Sequence, residues 1–264
     1  MSRWWPRLRR LWAITGSLAL VGWVTWCAIA FQPNAHARSA LSDTAQVHVR
    51  ALADGWLFEP TGRAAAADAR SLVFFPGGLV DARAYAPLMQ AVARGGHRAL
   101  LVRTPWRGAF GHAEAPATLA QARATTQALG GRWVVGGHSR GGKAAAVYAQ
   151  RYPDAVDALV LVGTSHPRDF SLRDAPFAVV QVLGDRDPIA SVTRADRNRQ
   201  HLPEGATRHV LRGANHSQFG DYGFQPGDRF ARMPRDAQRA ATAAALHAVL
   251  AGRPTSLSTT DGRR

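Results

Sequence analysis

Cysteine and lysine are almost absent from this sequence of 264 residues, and acidic side chains are few. The single cysteine, Cys27, excludes an internal disulfide. Lys143 is the only lysine, so arginine supplies nearly all of the 33 basic residues; the acidic residues number 18 and the formal net charge is +15. The arginines are scattered singly, and no nucleic-acid-binding motif accompanies them. We therefore interpret the charge as a compositional bias and expect no nucleic-acid partner.

Metal-ligand motifs are missing as well. The ten histidines include no pair at the H-x-x-x-H spacing that places two imidazoles on one face of a helix. We therefore expect neither a metal ion nor another cofactor.

The N-terminus joins a basic cluster to a long uncharged stretch. Four arginines between residues 3 and 10 precede Leu11–Phe31, which as a helix would span roughly 30 Å, the thickness of a bilayer core. Tryptophans lie near both ends, as in an interfacial aromatic belt. Two interpretations stay open. The length of the stretch favours a retained signal anchor, whereas Ala35-His36-Ala37 has the small-residue pattern of a signal-peptide cleavage site.

These features predict a domain organisation and a location. We expect a basic cytoplasmic N-terminus at 1–10, a transmembrane anchor at 11–31, a polar linker at 32–44, a folded domain at 45–251 and a disordered tail at 252–264. Because basic residues stay in the cytoplasm, the folded domain should lie outside it, in the periplasm or on the outer face. Cleavage near Ala37 would instead give a secreted protein.

The folded domain alternates short apolar strands with helices of about ten residues or more. This order predicts right-handed β-α-β connections and a mostly parallel sheet with helices on both faces. Only residues 163–177 separate the predicted strands at 158–162 and 178–183. Because this loop is too short for a helical lid, we expect no separate lid domain and a shallow, open site.

One motif organises the rest of the chain. A short apolar strand ends in Gly137-His138-Ser139-Arg140-Gly141, and a segment rich in helix formers follows. Strand, tight turn and helix are the setting of a G-x-S-x-G nucleophile elbow, in which Ser139 would be the nucleophile. The alternative is a glycine-rich turn whose serine only caps the helix.

An acid and a base follow the elbow in the order that a hydrolytic triad of this topology requires. The strand ending at Leu183 leads into Asp185 and Asp187, and the strand ending at Leu211 leads into His216. Carboxyl ends of parallel strands meet at one edge of a sheet, so these side chains should lie near Ser139. The alternatives are that either aspartate caps a helix and that His216 is a loop histidine bonded to backbone.

Other residues are candidates for the oxyanion hole and the substrate pocket. The backbone N–H of Arg140 should be one oxyanion donor, and the turn after the strand at 71–75 should supply the second, from Gly78 or alternatively Leu79. Without a lid, aromatic residues of neighbouring loops would have to exclude water. The pocket candidates are Trp106, Phe110 and Tyr222.

Four stretches resemble the α/β-hydrolase superfamily, and within it bacterial membrane-anchored hydrolases of the dienelactone-hydrolase-like branch. They are Phe74–Asp81 with Tyr85-Ala86-Pro87, Gly137–Gly142, Gly184–Asp187 and Gly213–Gly223. The resemblance implies an α/β-hydrolase fold with Ser139 as nucleophile, Asp187 as acid and His216 as base. The sequence departs from dienelactone hydrolases in having serine where they have a cysteine nucleophile, and from the superfamily in having Arg140 where leucine or methionine is frequent.

Together these observations predict a serine hydrolase that acts through an acyl-enzyme on a small ester-like substrate, such as a carboxylic ester, an amide or a lactone. The lack of a lid favours short acyl groups over long lipid chains, and Arg140 and the net charge would favour anionic substrates. The alternative is a non-catalytic extracytoplasmic binding module built on the same scaffold, since a fold does not fix a function.

Overall fold

The computed structural model describes residues 4–61 and 69–253. Its first element is the 26-residue helix α1, Trp5–Ala30, with a proline in the first turn. By length and composition α1 can cross a membrane, because its mean hydropathy is 1.7 and almost none of its surface is buried in the protein. Of the predicted terminal segments, residues 1–3 and 254–264 lie outside the described residues.

The segment after α1 is docked on the domain rather than free. It forms a short helix, α2 (Ala35–Ser39), whose first turn is capped by Asn34 through a hydrogen bond from the Ala37 N–H to Asn34 Oδ1 of 2.8 Å. Ala37 and Ala40 are buried. The predicted linker at 32–44 is therefore packed against the domain in this part, where the small side chains of Ala37 and Ala40 lie close to it.

Three backbone hydrogen bonds attach the end of α1 to the domain. The N–H groups of Gly223 and Asp81 donate to Ala30 O and Phe31 O at 2.7 and 3.0 Å, and the Asn34 N–H donates to Asp221 O at 2.9 Å. We call this contact the α1 junction.

The domain is built on one eight-stranded sheet. The strands are β1 (Val47–Leu52), β2 (Gly55–Pro60), β3 (Arg70–Phe75), β4 (Ala99–Val102), β5 (Arg132–His138), β6 (Ala158–Val162), β7 (Ala178–Gly184) and β8 (Thr207–Leu211). Their order is β1-β2-β4-β3-β5-β6-β7-β8. The β1–β2 and β2–β4 pairs are antiparallel, and all other pairs are parallel. The predicted mostly parallel sheet is confirmed.

Helices cover both faces of the sheet. They are α3 (Ala86–Arg94), α4 (Pro116–Leu129), α5 (Arg140–Arg151), α6 (Val192–Arg197) and α7 (Arg235–Leu250). One apolar core joins α3 and α7 to one face, and a second joins α4 and α5 to the other. The central strands are buried on both faces, which explains their continuous apolar sequences.

The bounds of two helices have a local cause in the sequence. Helix α4 begins at Pro116, because proline is favoured in the first turn, where its missing N–H costs nothing. Helix α6 is capped by Ser191 and ends at Arg197, before a separate 3-10 turn at Arg199–His201. No helix lies between β6 and β7, as expected of a fold without a lid domain.

Candidate active site

Ser139 occupies a sharp turn between β5 and α5. Its backbone has φ +55° and ψ −119°, a combination that non-glycine residues rarely adopt and that lifts the side chain out of the strand. The flanking glycines are required by close backbone approach. A Cβ atom on Gly137 would overlap the Gly141 carbonyl, and one on Gly141 would overlap the carbonyl oxygens of Phe75 and Pro76. The G-x-S-x-G pattern thus has a direct steric reason.

His216 and Asp187 form a buried pair near this turn. His216 Nδ1 lies 2.7 Å from Asp187 Oδ2, and both side chains are almost fully shielded from solvent. The His216 ring centroid lies 4.5 Å from that of His138, the residue directly before Ser139. The other ring nitrogen, His216 Nε2, is buried and has no hydrogen-bond partner among the described residues. It is therefore available to a group that lies between it and the elbow.

The two candidate aspartates have different environments. The second carboxylate oxygen of Asp187, Oδ1, accepts hydrogen bonds from the N–H groups of Ile189 and Ala190 at 2.8 and 2.7 Å. Asp185 instead accepts the Gly213 N–H at 2.7 Å and closes the turn after β8. Only Asp187 contacts the imidazole, and its role as the acid remains a prediction.

Asp228 holds the loop that carries the base, and the sequence analysis did not identify it. Its carboxylate accepts the His216 N–H at 3.2 Å and the Ser217 N–H at 2.8 Å, and it accepts the Ser217 hydroxyl at 2.6 Å. A lone aspartate in a loop gives no local signal of such a contact across 11 or 12 residues of chain.

Tyr85 and His138 form a second buried pair behind the site. The Tyr85 hydroxyl accepts the Gly77 N–H at 3.0 Å and lies 2.7 Å from His138 Nδ1. Burial and the neighbouring His216 lower the pKa of His138 well below its ordinary value, so the ring is neutral. Burial also raises the pKa of Tyr85. Through these two contacts the Tyr85 hydroxyl links the loop after β3 to the elbow.

The predicted oxyanion donors divide into two groups. The Arg140 N–H lies in the first turn of α5, where helix N–H groups have no intrahelical acceptor. The Gly78 N–H has no hydrogen-bond acceptor among residues 4–61 and 69–253, and its Cα faces the Arg140 side chain. Leu79 differs, because its N–H donates to Arg107 O at 2.7 Å. Leu79 is therefore not free to donate to a ligand, which leaves Gly78 as the second candidate.

A cavity of about 310 Å³ opens beside Ser139. Its lining combines basic and other polar side chains with apolar residues: Ser139, Arg140, Lys143, Gly163, Thr164, Ser165, His166, Arg168, Ile189 and Ala190. We call it the Ser139 cavity. None of the three predicted pocket aromatics lines it.

The aromatic pocket candidates lie elsewhere. Trp106 lines a separate cavity of about 740 Å³ between the 3-10 turn at Pro105–Gly111 and α4. Phe110 lines neither of these two cavities and is 95% exposed. Tyr222 was expected in the pocket, but it is buried in the core with its ring 6.0 Å from Phe31. The correction has a physical reason: the α1 junction covers Tyr222, and the sequence did not predict that contact.

Comparison with protein families identifies the family of this chain. The model of the alpha/beta hydrolase family matches residues 71–240, which is more than half of the chain. The chain belongs to the alpha/beta hydrolase family. As a member it is an enzyme, and this favours catalysis over the non-catalytic binding module considered above. No curated protein sequence matches the chain significantly.

Solved structures of other hydrolases share the fold. A dienelactone hydrolase from Anabaena variabilis is similar over 79% of this chain and 99% of its own, with 16% identity and a TM-score of 0.56. An esterase from Mycobacterium tuberculosis is similar over 81% of this chain and 95% of its own, with 16% identity and a TM-score of 0.54. At this identity the likeness shows the fold and does not select a branch of the family.

Metal binding has no candidate site in the described part of the chain. No group of three or more histidine, cysteine, aspartate or glutamate side chains there is placed to hold an ion.

Proposed function

We propose that this alpha/beta hydrolase is a serine hydrolase of small ester-like substrates, in which Ser139, His216 and Asp187 form the catalytic triad. The observation that carries the proposal is the buried contact of 2.7 Å between His216 and Asp187, next to a serine in a strained elbow. A serine hydroxyl needs a base to take its proton, and a histidine oriented by a carboxylate is the usual base.

In the proposed mechanism His216 and Asp187 have separate roles. His216 Nε2 accepts the Ser139 proton as the hydroxyl attacks the carbonyl carbon, and it later returns that proton to the leaving group. Asp187 fixes the tautomer with the proton on Nδ1 and stabilises the imidazolium. The N–H groups of Arg140 and Gly78 receive the oxyanion. Water then hydrolyses the acyl-enzyme by the same route.

Several features favour small substrates with short acyl groups. The Ser139 cavity has a volume of about 310 Å³, at the lower end of the range for ligand sites. The loop between β6 and β7 carries no helix that could close over a long chain. Two solved structures that share the fold are named as an esterase and a dienelactone hydrolase, so their names agree with ester or lactone cleavage.

Two measurements test the proposed function. A fluorophosphonate probe should label the wild-type protein on Ser139, and the Ser139→Ala variant should lose labelling and at least about a thousandfold in kcat. Asp185→Asn is the matched control, because that side chain only closes a turn. Wild-type activity in a Ser139→Ala preparation free of other esterases would contradict the proposal.

An ester series tests the substrate size. With p-nitrophenyl esters from acetate to palmitate, kcat/KM should be highest for the short acyl groups. Rates that climb with chain length and rise further at micelles would show that the proposed preference is wrong.

We also propose that α1 is a retained membrane anchor with the catalytic domain outside the cytoplasm. The four arginines before α1 support this orientation. The α1 junction supports retention, since cleavage after Ala37 would remove Phe31 from its packing against Tyr222. Alkaline phosphatase fused after Thr44 should be active in a bacterial host, and the protein should fractionate with membranes. An inactive fusion would contradict the orientation, and full release as a soluble protein would favour cleavage.

A further inference from the structure

Cations outnumber anions around the Ser139 cavity. Glu114 is shared by two of the cations, because its Oε1 lies 2.9 Å from Arg140 Nη2 and 3.5 Å from Lys143 Nζ. Asp169 also lies 3.5 Å from Lys143 Nζ. Arg168, which lines the same cavity, forms no ion pair with a carboxylate among residues 4–61 and 69–253. The charge of Asp169 acts on Arg168 as well as on Lys143, so it offsets part of the positive charge, but the cations at the cavity still outnumber these two carboxylates.

A second unpaired arginine intensifies this charge. Burial and the charge of Arg194 lower the pKa of Arg168, and the opposing charge of Asp169 offsets this only in part. The Arg194 guanidinium is itself held by the carbonyl of Ile189 at 2.6 Å and has no carboxylate partner in the described part of the chain. Two like charges held near each other repel, so the free protein has an electrostatic cost that a bound anion would relieve.

The Arg168 side chain is held in place at the cavity. Its Nη2 donates to Ser165 Oγ at 2.7 Å, and both residues line the space that contains Ser139. A guanidinium has five N–H donors in a fork that matches a carboxylate, so donors remain for a ligand after this bond.

His166 adds a polar atom without adding charge. Burial, Arg168 and Lys143 lower the pKa of His166 to about 4, which leaves the ring neutral near pH 7. Its Nδ1 is buried and has no hydrogen-bond partner among the described residues. The neutral ring therefore lines the cavity without adding to its positive charge.

We propose that the Ser139 cavity binds a carboxylate group of the substrate through Arg168, so that the enzyme acts on esters that carry a free acid. This inference rests on the proposed function and names its substrate class. The carboxylate lies against the Arg168 guanidinium while the ester carbonyl lies at Ser139. Because both residues line one small cavity, the acid and the scissile bond belong to the same small molecule.

Matched pairs of esters test the proposal in the full-length protein. In the first pair, 4-acetoxybenzoate and its methyl ester, the acid is on the alcohol side of the scissile acetate. In the second pair, methyl hydrogen succinate and dimethyl succinate, the acid is on the acyl side. We expect kcat/KM for the acid to exceed that for its neutral partner by about tenfold or more in one pair, and the pair concerned tells which side faces Arg168.

Substitutions assign that preference to the cavity. Arg168→Gln should reduce the ratio of acid to neutral ester about tenfold, and Lys143→Gln should reduce it less, because Lys143 already has carboxylate partners. The control is Arg173→Gln, which removes an exposed arginine of the same loop that does not line the cavity and should leave the ratio unchanged. Equal rates for acid and neutral esters in both pairs, or a ratio that Arg168→Gln does not alter, would overturn the proposal.

A binding measurement separates this proposal from the proposed function. Calorimetric titration of 4-hydroxybenzoate and of succinate into the Ser139→Ala protein should detect binding of one of them, and the additional Arg168→Gln change should weaken it about tenfold. Ester hydrolysis without this binding overturns the carboxylate site alone. If the carboxylate binds, but the wild-type protein neither hydrolyses esters nor is labelled by the probe, the carboxylate site is supported and the catalytic triad is overturned.

Discussion

The two sides of the Ser139 elbow are built differently. On the side of β7 and β8, His216 and Asp187 are buried and fixed by four hydrogen bonds. One joins the two side chains, two come from backbone N–H groups to Asp187, and one runs from the His216 N–H to Asp228. On the side of β3 and β4, the 3-10 turn at Pro105–Gly111 exposes Trp106 and Phe110, and three of its non-glycine residues have positive φ. One side is rigidly supported, whereas the other is open to solvent.

The difference matches two requirements of an enzyme. Proton transfer needs donor and acceptor held within a fraction of an ångström, which only buried and hydrogen-bonded side chains achieve. Access of substrate needs a surface that is not filled by the protein itself. We therefore expect substitutions on the buried side to affect catalysis and stability, and substitutions of Trp106 or Phe110 on the exposed side to affect neither strongly, because these side chains do not line the Ser139 cavity.

The largest effect should come from the carboxylate of the buried side. Asp187→Asn keeps the shape but presents an amide to His216 Nδ1, which favours the wrong tautomer and should lower kcat by about 10⁴-fold. Asp185→Asn, two residues away, should change kcat far less because it contacts only the Gly213 N–H. The test is to measure kcat of the two variants with the same ester substrate. A large loss in Asp185→Asn alone would reverse the assignment.

The elbow itself should be intolerant of a single methyl group. Gly141→Ala would put a Cβ against the carbonyl oxygens of Phe75 and Pro76, so we expect a loss of about 3 kcal/mol or more in stability, or failure to fold. Gly205→Ala is the control, since nothing lies within 4 Å of the added atom. Thermal unfolding followed by circular dichroism compares the two. Equal melting temperatures would mean that the turn is looser than described.

The buried side should also be sensitive to acid through His138. The pKa of His138 is lowered in the folded state, so below about pH 6.5 the unfolded chain binds a proton that the folded protein does not bind. The stability of the fold therefore falls as the pH falls. The loss is at most about 1.4 kcal/mol per pH unit for one proton. His138→Asn should be less stable at pH 7 but should lose less between pH 7 and 5. Parallel pH dependence in both proteins would contradict this account.

The smallest effect should come from the exposed side. Trp106→Ala and Phe110→Ala should change stability by no more than about 0.5 kcal/mol, because both side chains are mostly in solvent. Both kcat and KM should stay close to the wild-type values, since neither side chain lines the Ser139 cavity. A drop in melting temperature as large as that of Gly141→Ala would remove the contrast between the two sides.

The same contrast separates what the sequence could predict from what it could not. The mostly parallel sheet and the strand, turn and helix around Ser139 follow from patterns within a few residues, and the structure has these elements where they were expected. The same patterns offered both Asp185 and Asp187 as the acid, and only the resemblance to the α/β-hydrolase superfamily selected Asp187, which contacts His216. Tyr222 was misassigned because its burial depends on Phe31, almost 200 residues earlier in the chain. The contact of Tyr85 with His138 was missed for the same reason, because the two residues are 53 positions apart and only the folded sheet brings them together. Asp228 lies only 12 residues after His216, but a lone loop aspartate carries no local signal of the backbone N–H groups that it accepts.

The α1 junction has a consequence for how substrate reaches the enzyme. Asp81, which holds the end of α1, lies six residues after β3, and Gly223 lies seven residues after His216. With α1 in a bilayer, the edge of the sheet that carries Ser139 would therefore stand close to the lipid–water boundary. A substrate confined to that boundary would meet the enzyme by diffusion in two dimensions. The anchor would then fix the orientation of the active site relative to the membrane as well as the location of the enzyme.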